Sequence, residues 1–193
     1  MIDSYIVLEG QLRENYGRVV YSHKTHEKCA DILLERHKKI KFWQIVLSAL
    51  VTGGLITSFF DIASLAEYKA CGKIIMLVIS TILLVLNSYT KDYDLGEIAQ
   101  KHRRAGADLW VIREKYLSLL TDLRLGIAQI DEILVRRDQL LESLHAIYCG
   151  APSTNYKAYS EAQKALKELE DMTFSDDEID AFLPKELKRC VKK

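Results

Sequence analysis

Two stretches without a single charged side chain govern what this chain can become. Residues 42–60 read FWQIVLSALVTGGLITSFF, and residues 74–90 read IIMLVISTILLVLNSYT. At about 1.5 Å per residue the first reaches roughly 28 Å as a helix, which just matches a hydrocarbon core of about 30 Å. The second, 17 residues long, stands at the lower limit for a span. Phe42, Trp43 and Tyr89 mark the ends, where amphipathic rings favour the headgroup zone. The competing reading is a pair of buried helices in a soluble domain, but core helices of this length usually carry a polar stripe. A cleaved leader is not expected, because the first apolar stretch begins after about 40 mostly polar residues.

The rest of the chain reads as all-α. Prolines occur at Pro152 and Pro184 alone, so nothing before Ala151 interrupts a helix. Alternating β-branched runs joined by Asn-Gly or Asp-Gly turns are absent. Lysines plus arginines equal aspartates plus glutamates at 27 each, which argues against a basic nucleic-acid binder. Cys29, Cys71, Cys149 and Cys190 have neither zinc nor redox spacing, and this suits a reducing cytoplasm.

Positive charge sets the orientation. Lys24, Lys28, Arg36, Lys38, Lys39 and Lys41 precede the first span, and Lys91, Lys101, Arg103 and Arg104 follow the second. The loop 61–73 holds Lys69 and Lys73. The excess places the loop outside and both termini in the cytoplasm. Within the loop, Ser64-x-x-Glu67 is read as a cap for one helical turn and Cys71-Gly72 as its end. The expected organisation is an N-terminal cytoplasmic helix over 1–41, a hairpin over 42–90, one long cytoplasmic helix over 91–150, and C-terminal helices with a basic tail over 151–193.

Polar residues inside the spans carry the functional signal. Gln44, Ser48 and Thr52 recur every fourth residue on one face of the first span. In the second, Ser80, Asn87 and Lys91 share a face, as do Thr81 and Ser88. Two readings stay open: they line a water-filled path in an oligomer, or they bond across the hairpin and never meet water. Ala49-x-x-x-Gly53 and Gly54-x-x-x-Ser58 are small-residue ridges that allow close backbone approach.

Outside the membrane, Leu12, Tyr16, Val19, Val20, Ala30, Leu33, Leu34 and Ile40 have helical spacing, and that helix is expected to run into the first span. A seven-residue repeat follows the second span. Its rows are Tyr116, Leu123, Ile130, Arg137, Leu144 and Leu120, Ile127, Leu134, Leu141, Tyr148, a coiled-coil-like assembly seam for the same chain or a second copy. Arg137 breaks it and needs a carboxylate or solvent. Gly150 and Pro152 predict a helix stop. A helix over 154–171 is expected to bury Tyr156, Tyr159, Ala162, Leu166 and Leu169. Ser175-Asp176-Asp177-Glu178 reads as a capping box ahead of Ile179, Phe182 and Leu183.

No phosphate loop, carboxylate pair or nucleophile elbow is present, so neither an enzyme nor a cofactor is expected. His23-x-x-His26-x-x-Cys29 puts three potential ligands on one helical face without a fourth, and packed side chains are the plainer account. His37, His102 and His145 form no motif. The basic clusters 36–41 and 101–104 suit anionic lipid headgroups, or a phosphate-bearing ligand or nucleic acid.

Four segments together carry a resemblance. LRENYGRVVYSHKTHEKCADILLERHKKIKFWQIVLSALVTGGLI joins a basic helix to a Gly-Gly-containing span, and AQKHRRAGADLWVIREKY follows the second span. RRDQLLESLHAIYCGAPSTNYKAYSEAQKAL and TFSDDEIDAFLP complete the series. In this order they resemble the SLATT family, two-transmembrane effector domains associated with nucleotide-signalling systems in bacteria, and within it the subgroup numbered five. The resemblance implies an inner-membrane effector of anti-phage defence that oligomerises and disrupts the membrane when a partner fires. The implied partners are a nucleotidyltransferase, a nucleotide-sensing domain or a reverse transcriptase, with a nucleotide messenger or nucleic acid as trigger. The alternative is a membrane-anchored scaffold that docks a partner enzyme. The family carries no catalytic residue over to this chain.

Overall fold

The computed structural model describes residues 2–59 and 69–184, with side chains over 5–56 and 71–184. Six helices make up these parts, and no strand occurs among the described residues. The first, α1, runs from Ile2 to Phe59 without a break, 58 residues or about 87 Å. The N-terminal arm and the first span are therefore one rod, as the apolar spacing requires in the absence of proline and of any cap at residue 41.

Helix α2 (Lys69–Asp92) returns beside the distal part of α1. It starts earlier than expected. Cys71 and Gly72, read as the end of a loop turn, lie in its first turns, so the loop occupies less than 61–73. The proposed cap at Ser64 and Glu67 falls outside the described residues. Almost none of the residues in the two apolar stretches is buried within the chain. Ile45, Leu50, Leu55, Ile74, Leu77, Leu84 and Val85 are exposed, which removes the soluble-core reading.

Helix α3 (Leu95–Leu125) begins two residues after α2 ends, and Asp94 caps it by accepting from the backbone N–H groups of Gly96 and Glu97. It packs along the part of α1 that precedes the first span. Then the chain departs from expectation. Where one helix was predicted over 91–150, Gly126 adopts a left-handed conformation (φ 65°) and ends α3, and α4 (Ile130–Gly150) folds back on it. The Gly126 N–H caps the carbonyls of Asp122 and Leu123, and Ile127 N–H also reaches Asp122 O. Helix α4 stops at Gly150, ahead of Pro152, as read from the sequence.

The break reassigns the heptads. Tyr116 and Leu123 are buried, but their row continues backward to Leu109 and His102 rather than forward to Ile130. The second α3 row is Ala105, Ile112 and Leu119, one position before the predicted Leu120, which is only partly buried. On α4 Ile133 and Leu140 are buried and Ile147, in the same row, is half-buried, again one position before the predicted Leu134, Leu141 and Tyr148. Leu134 and Leu144 pack at its edge, whereas Ile127, Leu141 and Tyr148 are exposed. With Leu8, Leu12 and Val19 from α1, these residues build the hydrophobic core outside the hairpin. Arg137 finds what it needed, a carboxylate oxygen of Asp138 at 2.8 Å and Gln11 Oε1 at 3.1 Å.

Helix α5 (Tyr156–Lys167) packs on α1. Its buried face is Ala158, Ala162 and Ala165; of the predicted stripe Ala162 is buried and Leu166 half-buried, whereas Tyr156, Tyr159 and Leu169 stay exposed. Small side chains let α5 lie close to α1, where tyrosines would hold it away. Helix α6 (Asp176–Phe182) opens with the predicted capping box: Ser175 Oγ accepts from the Glu178 N–H, and Glu178 Oε2 accepts from the Ser175 N–H at 2.8 Å.

Candidate functional site

At the end of the hairpin nearest the helical core, Gln44 is buried and its Nε2 donates to Asn87 Oδ1 at 3.0 Å. Thr90 Oγ1 lies at 3.0 Å and the Leu86 carbonyl at 3.4 Å from the same nitrogen. Two amide hydrogens thus serve three acceptors on α2. The Thr90 hydroxyl hydrogen goes to the Leu86 or Asn87 carbonyl, each at 3.1 Å, which leaves its oxygen free to accept. Thr90 was not singled out in the sequence; its position one turn from Leu86 and three residues from Asn87 was the available signal.

The other polar residues stay on their own helices. Ser48 Oγ donates to Gln44 O at 2.7 Å, Thr52 to Ser48 O at 2.9 Å, Ser80 to Leu77 O at 2.9 Å and Thr81 to Leu77 O at 2.8 Å. A hydroxyl closed on the preceding turn offers nothing unsatisfied to lipid. Of the small-residue ridges, Gly54 faces α2. A Cβ there would stand 2.8 Å from Met76 Sδ, so the glycine makes room for that side chain of α2. Ala49 and Gly53 are exposed, with nothing within 4 Å of a Cβ at Gly53. Ser58 lies outside the described side chains.

An aromatic collar surrounds this end of the hairpin. Phe42 and Trp43 meet edge-on at 5.9 Å, and Tyr89 stacks on Tyr93 at 5.4 Å. All four are exposed, as rings are that belong in the headgroup zone. Just beyond the collar, backbone hydrogen bonds from Glu97 and Gly96, aided by His37 and Lys41, hold the Asp94 carboxyl below its usual range. Of the second basic cluster, Lys101 meets Glu97 at 2.8 Å and Arg103 meets Asp31 at 2.7 Å.

Away from the hairpin, histidines join α1 to α3. His26 Nδ1 lies 2.9 Å from His102 Nδ1, with both side chains almost fully buried. His23 Nδ1 sits 2.8 Å from the Gly106 carbonyl, and since a carbonyl only accepts, that nitrogen carries the hydrogen. Burial, then the neighbouring His102 and His23, lowers the His26 pKa to about 4. Burial lowers that of His102 as well. Cys29 is fully buried, its thiol pKa raised by desolvation, with Asn155 Nδ2 at 3.9 Å. The His23, His26 and Cys29 face thus packs against α3 and the start of α5. Among the described residues, no group of three or more His, Cys, Asp or Glu is gathered to hold a metal ion.

Lys24 ties this layer to the C-terminal segment, with its Nζ 3.0 Å from Glu27 Oε2 and 2.9 Å from Asp171 Oδ2. Burial works against the ammonium, but the Asp171 and Glu27 carboxylates more than offset it and hold the pKa above the usual lysine value.

A scan against family models places residues 8–178 in a single match, to the SMODS and SLOG-associating 2TM effector domain, family 4. The chain belongs to this family. The family is the one that the four sequence segments resemble, and the matching model is number four where the resemblance had suggested five. Comparison with curated proteins and with solved structures gives no match. Membership in a two-transmembrane effector family, together with two long apolar helices exposed within the chain, makes this a membrane effector of defence systems associated with SMODS and SLOG domains.

Proposed function

We propose that the chain is a non-enzymatic effector that assembles in the bacterial inner membrane and forms a pore, or otherwise breaches the bilayer, when a partner defence protein fires. Both termini face the cytoplasm, and the trigger originates from a nucleotidyltransferase or a reverse transcriptase. The observation that supports this most is the way the hairpin's polar groups are satisfied. Gln44 bonds to Asn87 and Thr90, and Ser48, Thr52 and Ser80 bond to their own helices, so the single hairpin satisfies these groups without water. Two helices cannot enclose an aqueous path, so conduction requires several copies and an exchange of these internal bonds for water.

The surfaces for assembly are those the single chain leaves uncovered. Ala49 and Gly53 present a small-residue ridge away from α2, suited to close packing with a second hairpin. On the cytoplasmic part, Ile127, Val135 and Leu141 are exposed apolar positions on or beside α4. Because α1 is one rod, movement within the cytoplasmic bundle is carried directly into the first span.

The test is dye release from liposomes containing purified full-length protein, paired with membrane depolarisation in cells when the trigger is supplied. Triggered growth arrest with intact membranes would replace this reading with the scaffold alternative, in which the hairpin merely tethers a docked partner enzyme.

A further inference from the structure

A cavity of about 610 Å³ opens between α1, α3 and the connector from α5 to α6. Ligand sites for small organic molecules fall in this size range. Its lining combines two aromatic rings, Trp110 and Phe174, with three cations, Lys24, Arg103 and Arg113, against one carboxylate, Glu27. Trp110 and Phe174 are 49% and 66% exposed, so large flat apolar faces stand uncovered at the mouth. The Arg113 guanidinium lies 6.0 Å from the centre of the Trp110 ring.

The cations are held from behind. Arg103 is paired with Asp31, Arg113 with Glu114, and Lys24 with Asp171 as well as Glu27. Asp31, Asp171 and Glu114 do not line the cavity and are substantially exposed. Such pairs are weak individually, so an entering phosphate can share or displace them while finding the cations already positioned. The connector that closes the cavity is strained. Glu170 and Met172 both take left-handed backbone conformations, at φ 50° and 70°, flanking the Asp171 that grips Lys24. Non-glycine residues in that region concentrate at ligand clamps and switches.

We propose that this cavity binds a nucleotide, the base stacking on Trp110 and Phe174 and the phosphate meeting Arg113, Arg103 and Lys24. A lipid headgroup is the wrong source of that phosphate. Lys24 lies 18 residues before Phe42 on one unbroken helix, which sets the cavity roughly 27 Å from the start of the span. The proposal deepens the reading of a triggered effector by assigning the trigger a site on this chain. Occupancy would compete for Lys24 and loosen the hold of the connector on α1 and α3.

Trp43 and Trp110 are the two tryptophans, so a Trp43→Phe variant of the full-length protein in detergent reports on Trp110 alone. Titration with AMP should quench it saturably, and adenosine or inorganic phosphate separately should bind about tenfold more weakly or worse. Arg113→Gln and Phe174→Ala should each weaken AMP binding by about tenfold while helicity by circular dichroism stays unchanged. Absence of saturable quenching by AMP, ATP and a cyclic dinucleotide overturns the proposal, as does binding that both substitutions leave intact. The effector reading fails separately: saturable binding with liposomes that never leak sinks that reading and keeps the site.

Discussion

The Nδ1 atoms of His26 and His102 face one another at 2.9 Å between α1 and α3, with the ring centres 5.0 Å apart. At that distance one nitrogen donates and the other accepts, so at least one ring of the pair is neutral at Nδ1. The contact joins α1, the rod that continues into the first span, to α3 of the helical bundle. Its protonation state therefore bears on the interface through which the two parts are joined.

Acid should loosen this interface. The folded pKa of His26, lowered to about 4 by burial and then by His102 and His23, lies below the roughly 6.5 of a free histidine. Between those values the unfolded chain binds more protons than the folded one, so stability falls as pH drops from about 6.5 towards 4 and is level above that window. At about 1.4 kcal/mol per unit the loss at the bottom of the window is at most about 3 kcal/mol, and His102 does not add independently because the two rings share one hydrogen bond. Thermal unfolding of the detergent-solubilised protein at pH 7.5, 6 and 5 should show the decline. A paired His26→Leu, His102→Leu variant should lack it above about pH 5. An equal decline in that variant would assign the effect to groups outside this pair.

Replacing Gln44 with leucine should affect membrane activity and hairpin stability in different ways. It removes a donor shared by Asn87, Thr90 and Leu86 and leaves Asn87 Oδ1 without that partner, at a cost of about 1 kcal/mol. Asn87→Leu on top of it should recover much of that stability, because both polar groups are then gone. If the polar knot must open onto water for conduction, the double variant folds and assembles yet leaks dye at least about tenfold more slowly. Unchanged leakage from a well-folded double variant would show that these residues serve packing alone.

Which parts were legible in the sequence follows from how local their causes are. The continuity of α1 rests on the absence of proline and of a cap, and the capping box at Ser175 and Glu178 is a four-residue motif, so both could be read directly. Gln44 and Asn87 drew attention because an amide in hydrocarbon needs a partner, though sequence alone left water and the opposite helix as equal candidates. The heptad frame was misread because apolar residues on α3 and α4 fit a repeat by chance across Gly126, whose left-handed turn is set by one backbone angle. His102 was missed for a related reason. It occupies the Leu109, Tyr116, Leu123 row, seven residues before Leu109, but extending the repeat backward means accepting a histidine as a core position. The cavity combines residues from three separate segments, and no spacing rule brings those together.

Gly54 and Gly53 should respond differently to enlargement. At Gly54 a Cβ would meet Met76 Sδ at 2.8 Å and Cγ at 3.2 Å, whereas at Gly53 it meets nothing within 4 Å. The Met76 side chain is flexible and yields to a methyl, so Gly54→Ala should lower stability by less than about 1 kcal/mol. Gly54→Leu should force α1 and α2 apart at a cost of about 1–3 kcal/mol, and Met76→Ala should restore part of it. Gly53→Leu should leave the isolated chain as stable as before. If the exposed ridge packs hairpin against hairpin, the same change should reduce oligomers in chemical cross-linking of membranes.

The turn at Gly126 decides whether α3 and α4 form a hairpin or a single rod. Its φ of 65° is open to glycine at no steric expense, tolerable for asparagine and strained for alanine or a β-branched residue. Gly126→Ala should therefore destabilise the bundle by about 1–2 kcal/mol, with Gly126→Asn milder and Gly126→Val at least as severe. Nothing lies within 4 Å of a Cβ at this position, so the ranking isolates backbone strain from crowding. A straightened α3–α4 rod would strip Ile133 and Leu140 from the core they share with Leu12 and Val19. The fold resists that outcome, and the substitutions should lower the melting temperature in the stated order while helical content at low temperature stays constant. A rise in helicity together with a larger hydrodynamic radius would instead mean that the straightened form, with its unbroken helix, is the more stable arrangement once the glycine is lost.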